Sequence, residues 1–194
     1  MFSAATAGAA PGVYLGLAGG RSGNTLSEVM PAGGSSLRFG GGYLGTFGAI
    51  IPLGQTAPLR FELQPSIGYQ FEDDFVEGGK DRISFHRVPI ELLYFANHVR
   101  EGFRVGYGVT YHSNAAISGK GKTAGFSADV DPATGYVFAI EKTFPGLHDI
   151  QSSIGLKYVS IRYASRSFTS EADGSGWLLT FSYFDLKKKP RVFD

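Results

Sequence analysis

The sequence predicts an all-β fold: an eight-stranded antiparallel up-and-down transmembrane β-barrel. Three observations carry this reading. Segments of about ten residues or more alternate apolar and polar side chains, and a period of two puts one set on each face of a strand. The polar connections between these segments alternate between long and short, as in a membrane barrel with surface loops at one end and tight turns at the other. Glycine supplies 28 of 194 residues and aromatics 14%, against a usual glycine share of about 7%, and that pairing suits neither helices nor disordered chain. No run of about 18 apolar residues occurs, so no helix of the chain is long and apolar enough to cross a membrane; the remaining way to span lipid is a closed barrel.

The clearest strand covers residues 59–71, LRFELQPSIGYQF. Leu59, Phe61, Leu63, Pro65, Ile67, Tyr69 and Phe71 share one face; Arg60, Glu62, Gln64, Ser66, Gly68 and Gln70 share the other. At roughly 3.4 Å per residue it extends about 44 Å, and a tilt of about 45° leaves about 31 Å of height. That matches a hydrocarbon core of roughly 30 Å.

The other elements follow in chain order. Residues 1–11 read as a flexible lead, 12–186 as the barrel and 187–194 as a basic tail. A first strand is expected at 12–21, then a polar loop at 22–35. The second strand, 36–51, places Leu37, Phe39, Tyr43, Phe47 and Ile51 at even spacing. After the strand at 59–71 comes an acidic loop at 72–81, then a fourth strand at 82–96. The apolar residues of that strand change parity between Phe85 and Val88, which predicts a β-bulge near Arg87–Pro89. The fifth strand, 103–117, alternates Phe103, Val105, Tyr107, Val109 and Tyr111 with Arg104, Gly106, Gly108, Thr110 and His112. Strands at 124–142, 150–164 and 176–186 complete eight, with a further long loop at 165–174. Pro65, Pro89 and Pro132 each remove a ladder donor, so at least one is expected at a bulge.

The alternating pattern would also suit a soluble barrel with its apolar face inward. The lipid-facing reading is preferred because the apolar face is almost free of charge over long stretches. The opposite face combines charges with glycines, as a narrow lumen requires. Its expected polar network comprises Arg60, Glu62, Glu91, Arg104, His112, Asn114, Asp129 and Glu141. Aromatics near strand ends, Tyr69, Phe71, Tyr107, Tyr111, Trp177 and Tyr183, are expected at the lipid interfaces.

In strand count, loop alternation and the closing segment WLLTFSYF, the chain from about residue 12 to 186 resembles the small eight-stranded outer-membrane barrels of the OmpA/OmpX type. The resemblance implies a bacterial outer-membrane location. It implies membrane lipid and lipopolysaccharide as surroundings, and barrel-assembly machinery as a partner during biogenesis.

Candidate chemistry is sparse. Tyr111-His112-Ser113-Asn114 is similar to the His-x-Ser-Asn motif of the outer-membrane lipid A deacylase family, which implies lipid hydrolysis as an alternative activity. A hydroxyl nucleophile needs its base within hydrogen-bond reach. Here His112 and Ser113 are adjacent and would point to opposite faces, with Tyr111 two residues before the serine. The expectation is a non-enzymatic barrel with a structural or surface-interaction role and a lumen closed by polar side chains, with a narrow small-solute channel as a further alternative. Recognition would then fall to the loops at 22–35, 72–81 and 165–174. His86, His98, His112 and His148 show no metal-ligand spacing. The run SGKGKT lacks the first glycine of a phosphate-binding loop. No metal or cofactor is expected. The formal charge of +1 offers no basic field for nucleic acid. The absence of cysteine removes disulfides and thiolate chemistry.

Overall fold

A computed structural model of the chain describes residues 11–26, 37–76, 81–120, 127–145 and 150–185. The expectations for the lead, the basic tail, most of the loop at 22–35 and the run SGKGKT therefore fall largely outside the described residues. The described chain forms β1 (Gly12–Gly20), β2 (Gly42–Thr56), β3 (Leu59–Val76), β4 (Asp81–His98), β5 (Phe103–Lys120), β6 (Ser127–Val130), β7 (Ala133–Pro145), β8 (Ile150–Ser160), β9 (Arg162–Tyr163), β10 (Ala172–Asp173) and β11 (Gly176–Asp185). Neighbours pair antiparallel from β1 through β5. β5 pairs both β6 and β7, which together make the sixth wall. β8 and β11 make the seventh and eighth, and β11 returns to β1. The sheet closes on itself through the β1–β11 and β4–β5 pairings, with β6 joined through β5 alone, and closure of this kind is the lasting remedy for exposed backbone donors in lipid.

The paired residues also fix the slope of the strands. Starting from Gly20, successive partners around the barrel are Leu178, Lys157, Ala139, Gly106, Phe95, Glu62 and Pro52. Pro52 lies two residues beyond Ile50, the partner of Gly12. The circuit thus returns to β1 about ten residues below its start, a stagger that tilts eight strands to about 45°.

Four local features depart from the sequence expectation. The bulge lies opposite Arg87 but belongs to β5. His86 pairs Ala116 and Val88 pairs Ser113, so β5 spends one residue more than β4. Asn114 takes a left-handed φ of 48° there, a conformation asparagine tolerates better than most residues. β4 keeps a single parity, with Ile83, Phe85, Arg87, Glu91, Leu93, Phe95 and Asn97 all buried. The apparent change of parity marks instead a change in what the lumen contains, from polar to apolar.

β2 begins at Gly42, which has a φ of 94° that a β-carbon would penalise. Leu37 and Phe39 precede it and turn into the barrel mouth, while Tyr43 and Phe47 face outward. Even spacing across this stretch therefore joined two different surfaces.

Most of the expected loop at 72–81 is strand. Glu72 through Val76 pair with Phe85 through Asp81, so the wall continues beyond the apolar belt, and Arg82 forms an ion pair with Asp73 there.

The sixth wall breaks at Asp131 and Pro132. Ala128 and Val130 are buried before the break, and Ala133, Val137, Ala139 and Glu141 after it, so the inward parity flips. Pro132 therefore sits outside any ladder. Pro89 pairs His112 just beside the β5 bulge. Pro65 pairs Leu92 on one side, and on the other it falls in a gap of the β2–β3 pairing between Gly48–Ser66 and Ile51–Leu63, across which the register does not change. Pro132 and Pro89 thus lie where the ladders are broken or bulged, whereas Pro65 stands within a continuous β3–β4 ladder.

Candidate functional site

The lumen holds the chain's buried polar residues, and the strands place them in tiers. Nearest the short turns, Arg104 is a hub. Its Nε donates to Glu141 Oε2 at 2.9 Å, Nη2 to Gln64 Oε1 at 2.9 Å and Nη1 to Glu62 Oε2 at 3.4 Å. Ser153 Oγ donates to the same Glu141 oxygen at 2.6 Å. Arg60, two residues from Glu62 and so on the same face, adds a second guanidinium at 2.5 Å from Glu62 Oε1. The Arg104 guanidinium also lies over the rings of Phe95 at 4.0 Å and Phe184 at 4.9 Å. Two carboxylates thus meet two guanidiniums, Arg104 buried and Arg60 partly exposed, and buried carboxylates require such partners. Glycine makes room for the rings: a β-carbon on Gly106 would lie 2.5 Å from the Phe95 ring.

In the middle tier Lys157 Nζ donates to both oxygens of Glu91, at 3.0 and 3.1 Å. Higher still stands Arg87, fully buried. Its Nε donates to Gln70 Oε1 and its Nη2 to the Gly41 carbonyl, both at 3.2 Å, while Gln70 Nε2 donates to that carbonyl at 2.8 Å. The guanidinium also lies over Phe85 at 4.7 Å and Tyr163 at 5.8 Å. His112 Nδ1 shares a hydrogen bond with Tyr163 Oη.

The mouth above Arg87 is apolar. Leu26, Leu37, Phe39, Ile83, Phe85, Ile117, Ala128 and Val130 belong to one buried cluster. Phe39 meets Phe85 edge-on at 5.1 Å and Phe168, from the loop after β9, at 5.3 Å. The backbone ties this plug in place through Leu26 N to Leu37 O at 2.9 Å, Phe39 N to Asn24 O at 3.1 Å and Asn24 N to Asp173 O at 2.8 Å.

The expected polar residues therefore divide. Glu62, Glu91, Arg104, His112 and Glu141 are buried in the lumen, and Arg60 stands partly exposed at its turn-side end. Asn114 does not join them: it carries the bulge and is exposed. Asp129 is also exposed, because the break at Pro132 reverses the parity that linked it to Glu141. Arg87, Gln70, Tyr163 and Lys157 hold central places that the sequence reading gave no weight or little. Arg87 lies four residues from Glu91 on the same strand, and that spacing was the available signal. His112 faces the lumen, whereas Ser113 sits on the opposite face with its hydroxyl 3.4 Å from the Val88 carbonyl. No His–Ser pair forms.

The outer wall has the opposite character. Val13, Leu15 and Leu17 of β1, Ile67, Tyr69 and Phe71 of β3, Tyr107, Val109 and Tyr111 of β5, and Trp177, Leu179, Phe181 and Tyr183 of β11 are all exposed. On β3 the run from Phe61 to Phe71 covers about 24 Å of height at a 45° tilt, close to the roughly 25 Å apolar band of membrane barrels. Aromatic pairs gather toward the ends of the walls: Tyr43–Phe71 and Tyr158–Trp177 on the loop side, Phe61–Tyr94, Tyr94–Tyr107 and Phe181–Tyr183 on the turn side. Tyr111 lies midway along β5, because that strand runs on to Lys120.

The fold and site define an all-β, closed eight-stranded antiparallel barrel with a charged interior and an apolar exterior. Among solved structures, the chain is similar to the outer membrane protein OprG from Pseudomonas aeruginosa, with 10% identity and a TM-score of 0.46, over 93% of this chain and 98% of that one. At that distance the fold assignment rests on this chain's own closed register. No protein-family model matches the sequence, and no curated protein matches it.

Proposed function

We propose that the chain is a bacterial outer-membrane barrel with a structural or surface-interaction role, its lumen closed by side chains and its recognition surface on the long-loop side. One observation carries this reading: the barrel is inverted relative to a soluble one. Arg87, Arg104, Glu62, Glu91, Glu141 and Lys157 are buried, while more than twenty large apolar or aromatic side chains, among them Leu17, Tyr43, Ile67, Tyr107 and Trp177, are exposed. Soluble monomers rarely expose contiguous apolar patches larger than a few hundred Å², whereas a lipid-facing wall requires them. The closed lumen is supported by the three charged tiers and the Phe39 plug, since eight strands leave an interior that side chains just fill.

The test is to refold the full chain into lipid vesicles and run it unheated and boiled on a detergent gel. A membrane barrel migrates differently in the two states, resists protease in vesicles and gives no steady conductance in a planar bilayer. A chain that stays monomeric and soluble without detergent refutes the membrane reading. A steady single-channel current refutes the closed lumen alone.

A further inference from the structure

Three side chains of β3 and β4 clasp the plug to the wall. Residues 38–41 form a tight turn with Phe39 and Gly40 at its tip, closed by Gly41 N to Arg38 O at 3.4 Å. Gln70 and Arg87 hold one end of this turn through the Gly41 carbonyl. Glu72 holds the other, because its carboxylate accepts the backbone N–H of Arg38. The same carboxylate lies against Gly41: a β-carbon there would stand 2.5 Å from Oε2 and 3.0 Å from Oε1. Glu72 Oε2 is buried by this contact and has no hydrogen-bond partner among the described residues.

A carboxylate shut in by a separable plug is a titratable contact. Glu72 stands just past Phe71, where the apolar belt ends, and its surroundings are mixed. Arg87 of β4, Arg21 at the end of β1 and Asp74 of its own strand act on it by charge. The Arg38 side chain is engaged with the Gly23 carbonyl at 3.0 Å. Asp73 and Arg82 pair with each other, and His112 and Tyr163 bond to one another. Burial pushes the Glu72 carboxyl up and Asp74 adds to this, while the Arg38 N–H, Arg87 and Arg21 pull it down. The balance lifts it from 4.5 to about 6.

We propose that Glu72 is a pH-sensitive latch, which seats the plug more firmly in the barrel mouth as the medium turns acid. The latch rests on the closed mouth proposed above. With the plug seated, the carboxyl keeps its proton up to about pH 6. With the plug lifted, Gly41 and the Arg38 N–H leave, and the carboxyl returns to water and an ordinary value near 4.5. The seated form thus binds the proton more tightly, so closure strengthens as pH falls through 6 and levels off below 4.5. Above that window the ionised carboxylate must stay dry against Gly41, which works against closure. Between pH 8 and pH 5, values of 4.5 and about 6 correspond to an about eightfold change in the closing constant.

The test is amide hydrogen exchange of the full chain in detergent micelles between pH 5 and pH 8, each rate divided by that of the free peptide at the same pH. The amides to follow are Arg38, bonded to Glu72, and Asn24, bonded to Asp173 O, since both bonds break when the plug lifts. Their protection is expected to rise about eightfold from pH 8 to pH 5. Glu72→Gln should flatten the profile near the parent's acid level. Asp74→Asn removes a like charge and should move the rise to lower pH, a result independent of how the glutamine variant folds. Protection that is flat in the parent, or that falls on acidification, overturns the latch. A rise that survives in Glu72→Gln belongs to another group and overturns it too. Absence of protection at every pH refutes the closed mouth, and the latch with it.

Discussion

The two ends of the lumen solve the same problem in different ways. At the turn side, space inside the wall is filled by ion pairs: Arg104 and Arg60 against Glu62 and Glu141, with Gln64 and Ser153 completing the hydrogen bonds. At the loop side it is filled by a folded-in segment of chain, with Leu26, Leu37 and Phe39 packed against Phe85, Ile83 and Ile117. The first closure is built from the strands themselves and is as fixed as the register. The second comes from outside the wall and depends on the contacts of Leu26, Leu37 and Phe39. A narrow barrel can therefore be rigidly shut at one end and shut at the other by an element that is separable in principle.

That contrast can be broken by substitution. The largest effect is expected at Arg104, whose removal leaves Glu62 and Glu141 buried with only Arg60 nearby. Arg104→Met should cost about 5 kcal/mol, read as a lowered urea midpoint in vesicles. Phe39→Ala should cost about 3–4 kcal/mol by opening a cavity in the plug. It should also admit a small current that Arg104→Met does not, unless that variant unfolds; equal conductance in both would erase the distinction between the two ends. Lys157→Met strands Glu91 and should cost about 3 kcal/mol, while Lys157→Met with Glu91→Leu should recover most of that loss. A double variant as unstable as the single one would mean that the pair contributes more than mutual neutralisation.

The smallest effect lies beyond the belt, at Asp73 and Arg82. Burial pushes the Asp73 carboxyl up, but the hydrogen bonds from Arg82 and Ser84 and the charge of Arg82 outweigh it, and the group ends below its usual value. A carboxylate held low stabilises the fold at pH above its unfolded value, about 3.9. That contribution disappears as pH falls through the folded value. Arg82→Gln should therefore lower the urea midpoint slightly at pH 7 and not at all in strong acid. A gap between variant and parent that widens on acidification would contradict the assignment.

The sequence revealed the wall more readily than the contents of the lumen. Alternation in 59–71 and 103–111 separates outward-facing from lumen-facing residues because period two is a property of each strand alone. Strand count and closure followed because every wall repeats that signal. Asn114 departs from the expected face because it is itself the extra residue of the β5 bulge, and Asp129 because the one-residue slip at Asp131–Pro132 separates it from Glu141 and reverses the parity across it. Leu37 and Phe39 read as wall residues because hydrophobic spacing does not distinguish a strand from a plug; Gly42, with its positive φ, is where the two part. Partner choice was least legible. Glu91 pairs Lys157, 66 residues away, and only the barrel's stagger brings those two side chains to one level.

The bulge at Asn114 has a further consequence for how β5 tolerates change. Before it, even-numbered residues face inward; after it, Ala115 and Ile117 do. The strand is thus written in two frames joined at a single residue. Deleting Asn114 would merge them into one continuous alternation, in which Ala115 and Ile117 still face inward and Ala116 and Ser118 outward, because Asn114 is the extra residue of the bulge. A one-residue deletion is thus absorbed at this position and only here: taken from either side of the bulge, it would reverse every residue between itself and the bulge, whereas at Asn114 it spares both the Arg104 tier and the surface against which Leu26 and Phe39 close.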